Sequence, residues 1–128
     1  MVKSSSDFAT NGLNAKLPKL VSFPNQHDDY EITIIVPEYT SVCPLTGLPD
    51  FGTITIKYIP DKLCVELKSF KYYIIGYRNL GICYENIVNR ILKDFVGVCK
   101  PKKIIVTGDF TPRGGIKTIV EARHPKEY

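Results

Sequence analysis

Hydrophobic and polar residues alternate along four segments of the chain, a pattern typical of β-strands with one buried face. The β-branched segment 30–36, which Pro37 is expected to end, predicts the first strand, and 51–59 predicts the second. Segments 103–110 and 116–123 predict two more strands, joined by a glycine-rich turn. Residues 63–67 are predicted either to extend this sheet or to lead into a helix.

Two segments between these hairpins change to a helical period. Apolar residues recur at i, i+3, i+4 and i+7 over 70–77, which predicts an amphipathic helix that stops near 79–81. A second helix is predicted over 84–99, closed by Pro101. The order ββααββ predicts an α+β domain, an antiparallel sheet with both helices on one face. Because open sheet edges tend to pair, we expect the chain to form a homo-oligomer.

The composition is that of one globular domain. The chain has 128 residues, of which 44% are hydrophobic and 23% charged. Residues 1–18, rich in Ser, Asn and Lys, predict a flexible arm, which leaves 19–128 as a single domain. No apolar run approaches the roughly 20 residues of a membrane span, and the N-terminus lacks the layout of a secretory signal. We therefore expect a cytoplasmic protein.

The charge balance is mildly basic. A net charge of +4 suits an anionic partner such as a phosphorylated cofactor or RNA. The lysines of 100–103 are more simply interpreted as solvated surface. Lys68 and Lys71, three residues apart at the predicted helix start, either help to bind phosphate with the first-turn N–H groups or form an ordinary exposed helix start.

The cysteines are spaced too far apart for a zinc or thioredoxin-like motif. They are separated by 21, 19 and 16 residues, with no CxxC among them. Three lie in apolar stretches and are predicted to be core residues: Cys64, Cys83 and Cys99. With only two histidines, His27 and His124, the sequence predicts no metal site.

Segment 37–51 contains a thiol and a carboxyl group seven residues apart, Cys43 and Asp50. Pro44, Gly47 and Pro49 exclude a helix and predict a tight turn between them. A thiolate attacks electrophilic carbon and a carboxyl group moves protons, so the pair could perform covalent catalysis. The alternative, a surface turn that contains a cysteine, stays open from this segment alone.

Two further candidates lie downstream. Glu85, at the start of the second helix, either compensates the helix dipole or accepts hydrogen bonds from the N–H groups of a purine-like base. Arg113, followed by Gly114 and Gly115, either contacts a phosphate or nucleotide or belongs to a plain hairpin turn.

These motifs together resemble a known family. Segments 37–51, 66–73, 77–79, 84–85 and 108–116 occur in the order found in NADPH-dependent 7-cyano-7-deazaguanine reductases, the nitrile reductases of queuosine biosynthesis. The resemblance covers about residues 30–124. The length of the chain is similar to that of the short, single-module form of the family. It implies a tunnelling fold, in which antiparallel sheets of several subunits join into a barrel with active sites at subunit interfaces. The ββααββ order agrees with that fold.

The resemblance also implies roles for individual residues. Cys43 matches the cysteine that attacks the nitrile carbon to give a covalent thioimide, and Asp50 matches the proton donor. Two NADPH molecules supply the hydrides. The positions that match the base-binding residues are Val65, Glu66, Leu67, Tyr84 and Glu85. Contacts to NADPH are expected from Leu67, Lys68, Arg113 and Gly114.

The sequence departs from the family pattern at two positions. Tyr84 stands where many members have histidine, and a tyrosine cannot carry a proton near neutral pH. It can still stack on the base or donate its hydroxyl. Leu67 stands where serine is common, so only its backbone can make a polar contact.

Three other functions are compared with the reductase. An archaeal-type amidinotransferase would use the same Cys43 and Asp50 to convert the nitrile base in tRNA to archaeosine, with ammonia as the second reactant and no NADPH. Segments 66–73 and 113–114 favour the reductase. A non-catalytic nucleotide-binding module is disfavoured by the intact thiol and carboxyl group, and a zinc-dependent pterin-type hydrolase by the missing ligand set.

Overall fold

A computed structural model describes residues 4–127. The elements along the chain are α1 (Ser5–Thr10), β1 (Ser22–Pro24), β2 (Ile32–Val42), β3 (Pro49–Ile59), β4 (Leu63–Val65), α2 (Leu67–Ile75), α3 (Tyr84–Cys99), β5 (Lys103–Arg113) and β6 (Ile116–His124). The four long strands form one antiparallel sheet in the order β2-β3-β5-β6, and β1 and β4 form a small second sheet. The ββααββ order and the antiparallel pairing agree with the sequence prediction.

The core lies between α2, α3 and one face of the large sheet. Alternate residues of β3 and β5 face the helices, and they are almost fully buried: Ile54, Ile56, Tyr58, Ile104, Val106 and Phe110. The buried side of α3 follows the helical period: Ile87, Val88, Ile91 and Phe95. α3 spans the predicted range 84–99. Within residues 4–127, no helix is both long and apolar enough to cross a membrane.

β2 does not end at Pro37, contrary to the sequence prediction. The strand continues to Val42, and its register with β3 shifts between Val36 and Tyr39. β2 is an edge strand of this sheet, so the missing N–H of Pro37 costs less than it would in a central strand. The irregular pairing is a bulge of the kind that bends strands near functional sites. Past the bulge, the strand continues to Val42, the residue before Cys43.

The N-terminal segment contains a short helix and contacts α3. Met1–Lys3, part of the predicted flexible arm, lie outside the described residues. From Ser4 the chain forms α1 and then contacts α3, where Arg90 donates from Nη1 to the Gly12 carbonyl and from Nη2 to the Ala15 carbonyl, both at 2.8 Å. These contacts join residues distant in sequence, so no local pattern predicted them.

The buried centre of β3 gives a stability prediction. Ile56 is fully buried, so Ile56→Ala should lower the free energy of unfolding by about 2–5 kcal/mol through lost burial and a residual cavity. Urea unfolding followed by circular dichroism measures this change. Ile75→Ala, at a position that is 42% exposed, is the matched control and should change the stability by about 0.5 kcal/mol or less. Equal losses in both variants would contradict the location of the core.

Candidate active site

A tight turn after β2 determines the position of the Cys43 thiol. The Cys43 N–H donates to the Leu48 carbonyl at 2.8 Å, and the Gly47 N–H donates to the Cys43 carbonyl at 2.9 Å. Gly47 has φ +73°, a conformation that favours glycine. Cys43 is only 6% exposed, so it does not belong to an ordinary surface turn.

The end of β2 is attached to the segment that precedes α3. The Val42 N–H donates to the Leu80 carbonyl at 3.0 Å, and the Ile82 N–H donates to the Val42 carbonyl at 3.1 Å. These two bonds bring the Cys43 turn to the N-terminal end of α3. Residues of that helix therefore enter the same site as the thiol.

One cavity of about 130 Å³ brings together five of the residues predicted for the site. They come from the Cys43 turn, from the start of β3, from the first turn of α3 and from the end of β5: Cys43, Asp50, Tyr84, Glu85 and Arg113. Two residues that the sequence did not suggest, Phe8 and Cys83, also line it. No local signal marks Phe8, because it reaches the cavity only through the folding of the N-terminal segment.

Asp50 is the centre of a polar cluster in this cavity. It is 2% exposed, and Arg113 Nη1 lies 2.9 Å from its Oδ1. The Tyr84 hydroxyl donates to the same Oδ1 at 3.4 Å, a long hydrogen bond. The Tyr84 ring stacks on Phe110 with ring centroids 3.9 Å apart. The Arg113 guanidinium lies 5.2 Å from the centroid of the Tyr84 ring. The tyrosine therefore contributes a fixed hydroxyl donor at the carboxyl group.

The environment of Cys43 favours its ionised form. Burial raises the pKa of the thiol, but hydrogen bonds from the side chains of Thr46 and Arg113 and from the N–H groups of Thr46 and Leu45 lower it more, to about 7. Cys99, buried in the core without such donors among the causes of its shift, has its pKa raised to about 12. Reactive thiols in proteins are those with a lowered pKa, which identifies Cys43 as the candidate nucleophile.

The pKa of Asp50 is shifted upward, in the opposite direction to that of Cys43. Burial raises the pKa of its carboxyl group, and Arg113 and Tyr84 lower it only in part. The carboxyl group consequently keeps its proton to a higher pH than an exposed aspartate does. A thiol of lowered pKa in the same cavity as a carboxyl group of raised pKa is a pairing suited to nucleophilic attack with proton donation.

The position of Arg113 yields a second prediction. Arg113→Met removes the cation, so the pKa of Cys43 should rise from about 7 toward its ordinary value of 9.0. The pH dependence of Cys43 alkylation by iodoacetamide, followed by peptide mass spectrometry, measures this shift. Arg78→Met, outside the cavity, should leave the midpoint unchanged. An unshifted midpoint in Arg113→Met would mean that the Thr46 side chain and the turn N–H groups lower the pKa of the thiol without help from Arg113.

The two glycines after Arg113 form the hairpin turn between β5 and β6. Arg113 pairs with Ile116, and Gly114 and Gly115 have φ +58° and +77°, which only glycine adopts at little cost. The turn needs both glycines for its conformation, while Arg113 reaches back to Asp50. Arg113 therefore belongs to the hairpin and also contacts Asp50 in the cavity.

The remaining predicted base-binding residues lie outside the Cys43 cavity. Val65, Glu66 and Leu67 line a separate cavity of about 350 Å³. The Glu66 carboxylate caps α2, where it accepts from the N–H groups of Lys68 and Ser69. Because Glu66 occupies these two first-turn donors, they are not open to a phosphate, which weakens the phosphate interpretation of this helix start.

Comparison with known proteins identifies the family. The family model for QueF-like protein matches residues 49–128. A protein of Elusimicrobium minutum is 59% identical over 124 residues, covering 96% of this chain and 94% of its own, and one of Chloroherpeton thalassium is 56% identical over 110 residues, covering 84% and 95%. The chain belongs to the QueF-like family. Both relatives are named NADPH-dependent 7-cyano-7-deazaguanine reductase, so the family suggested by the motifs is confirmed.

A solved structure gives the QueF-like fold independently. A crystal structure of the archaeosine synthase QueF-Like in the apo form superposes with a TM-score of 0.70, covering 76% of this chain and 95% of that one. The two sequences are 22% identical, so this likeness concerns the fold alone.

Proposed function

We propose that this QueF-like protein is an NADPH-dependent oxidoreductase that reduces the nitrile of 7-cyano-7-deazaguanine to an aminomethyl group in queuosine biosynthesis. The proposal rests on one observation above all, a buried low-pKa thiol beside a buried carboxyl group of raised pKa. A relative 59% identical over 96% of the chain is named for this reaction.

The first step would be attack of the Cys43 thiolate on the nitrile carbon. A nitrile accepts a thiolate more readily than a hydride, and the C–S bond forms as the nitrogen takes a proton, which gives a thioimide. Asp50 is the proposed donor of that proton, because burial keeps its carboxyl group protonated to higher pH. The Tyr84 hydroxyl and Arg113 would hold the carboxyl group in place.

From the nitrile to the amine, the reaction would take two hydrides and two protons in total, and one of these protons is the one added when the thioimide forms. NADPH supplies each hydride when bound. Cys43 leaves as the thiolate when the first reduced intermediate collapses to an imine, and Asp50, reprotonated between steps, again protonates nitrogen. Lys68 is exposed and Arg113 is half exposed, so both are accessible to cofactor phosphates, beside Leu67 and Gly114.

Binding of the base would need residues from more than one chain. The Cys43 cavity, about 130 Å³, is well below the roughly 300–1,000 Å³ of typical ligand sites. We therefore infer a homo-oligomer, a tunnelling-fold barrel in which Val65, Glu66 and Leu67 of another subunit complete the site. Apolar residues on the sheet face remote from the helices support this inference: Ile35, Phe51 and Ile119 are each more than half exposed. Glu85 would accept hydrogen bonds from the N–H groups of the base.

One paired assay tests the function. The purified protein is mixed with 7-cyano-7-deazaguanine, with and without NADPH, and followed by intact mass and by absorbance at the NADPH band. We expect a Cys43 adduct and two NADPH consumed per amine formed. An adduct without NADPH oxidation, followed by ammonia-dependent conversion of the nitrile base in tRNA, would instead support the amidinotransferase.

A further inference from the structure

The N-terminal segment is attached to the start of α3, the helix that carries Tyr84 and Glu85. The Cys83 N–H donates to Asn11 Oδ1 at 2.7 Å. The Asn86 Nδ2 donates to the carbonyls of Ala9 and Asn11, at 3.1 and 2.9 Å. Cys83, the N-cap residue of α3, makes no side-chain capping bond, so Asn11 satisfies a helix-start donor from a distant part of the chain. We call residues 8–12 with these bonds the N-terminal clamp.

Close packing at Gly12 fixes the clamp further. Gly12 has φ +74°, and a Cβ there would lie 2.6 Å from the Ile82 side chain. Ile82 is fully buried and holds the end of β2 through Val42. The clamp therefore lies against the same segment that positions the Cys43 turn.

The clamp places Phe8 at the wall of the Cys43 cavity. Phe8 lines that cavity together with Cys43, Asp50 and Tyr84, and its ring is partly buried. Asp50, Tyr84, Glu85 and Arg113 contribute polar groups, whereas Phe8 contributes an apolar ring, next to the apolar Pro44 and Leu45 of the Cys43 turn. An apolar wall beside a reactive carbon excludes water from it.

Water is a competing reactant for the thioimide of the proposed function. Addition of water with loss of ammonia converts the thioimide to a thioester, and a second water releases the carboxylic acid and the free Cys43 thiol. Neither step needs NADPH, so each balances without a further reactant. The ratio of acid to amine product thus measures the access of water to the thioimide.

We propose that Phe8, held by the N-terminal clamp, is a specificity-determining residue that keeps water from the Cys43 thioimide and so commits the nitrile to the amine. This inference rests on the proposed function. Asn11, whose side-chain Oδ1 accepts from the Cys83 N–H, acts through the position of Phe8 and is a positioning residue.

The test is the product ratio in variants of the full chain. In Phe8→Ala, the ratio of acid plus ammonia to amine should rise about tenfold, and NADPH consumed per base should fall below two. Asn11→Ala should change the ratio in the same direction, whereas Phe8→Leu, which keeps an apolar wall, should restore it. Ser5→Ala, an exposed position of α1, is the matched control. Because the ratio is measured per turnover, a smaller folded fraction leaves it unchanged.

The outcomes separate this inference from the function beneath it. If the wild-type protein forms no amine, the proposed function is wrong. If it forms amine but Phe8→Ala and Asn11→Ala give the wild-type product ratio, the function stands and the role of Phe8 is overturned. Should Phe8→Ala yield no product at all, the ratio in Asn11→Ala decides.

Discussion

Cys43→Ala abolishes the covalent adduct and lowers the rate of NADPH oxidation by a factor on the order of 10⁴ or more, the scale seen when a catalytic nucleophile is removed. The physical reason is that no other described thiol in the cavity combines burial with a lowered pKa; that of Cys83 is raised. Intact mass spectrometry after incubation with 7-cyano-7-deazaguanine measures the adduct, and absorbance measures the oxidation.

Cys99→Ala is the matched control for this loss. Cys99 is equally buried but lies at the end of α3, and its pKa of about 12 keeps it protonated. We expect the adduct and the turnover to survive this change, after correction for the folded fraction. An adduct that persists in Cys43→Ala would show that another residue is the nucleophile.

Asp50→Asn should lower the rate of NADPH oxidation by about 10²–10⁴, the usual contribution of a general acid. The amide has nearly the shape of the carboxyl group but cannot supply its proton. The pH profile gives the sharper readout. Because the donor must be protonated, its contribution is present below the raised pKa of Asp50 and lost as pH rises through it. The wild-type rate should fall as pH rises through that pKa, and the variant should lack this fall.

The same profile should contain a second titration, that of the Cys43 thiol. Attack needs the thiolate, so the rate should rise with pH through the Cys43 pKa of about 7 in both wild type and Asp50→Asn. Asp109→Asn, which affects a half-exposed carboxylate paired with Lys117, should keep the wild-type profile. If Asp50→Asn retained the fall in rate with rising pH, that fall would belong to another group.

Much of the fold could be predicted from local patterns. The apolar period of α3 predicts its range because one helix face must be buried, and the alternation in β3 and β5 predicts which residues face the helices. The prediction that Pro37 ends the first strand was wrong, because the effect of a proline on a strand depends on whether that strand lies at an edge. The small β1–β4 sheet was missed because three-residue strands carry too little pattern.

The sequence by itself determined the chemical groups, since the thiol of Cys43, the carboxyl group of Asp50 and the family motifs are visible without any structure. Only the tertiary structure decided how those groups behave. The pKa of Cys43 depends on donors from its own turn and from Arg113 at the end of β5, and that of Asp50 depends on burial. Phe8 enters the site only because Asn11, three residues further on, attaches the N-terminal segment to the start of α3. The physical reason is that ionisation and water access depend on distance and desolvation, which residues far apart in the chain acquire only when the sheet and helices assemble.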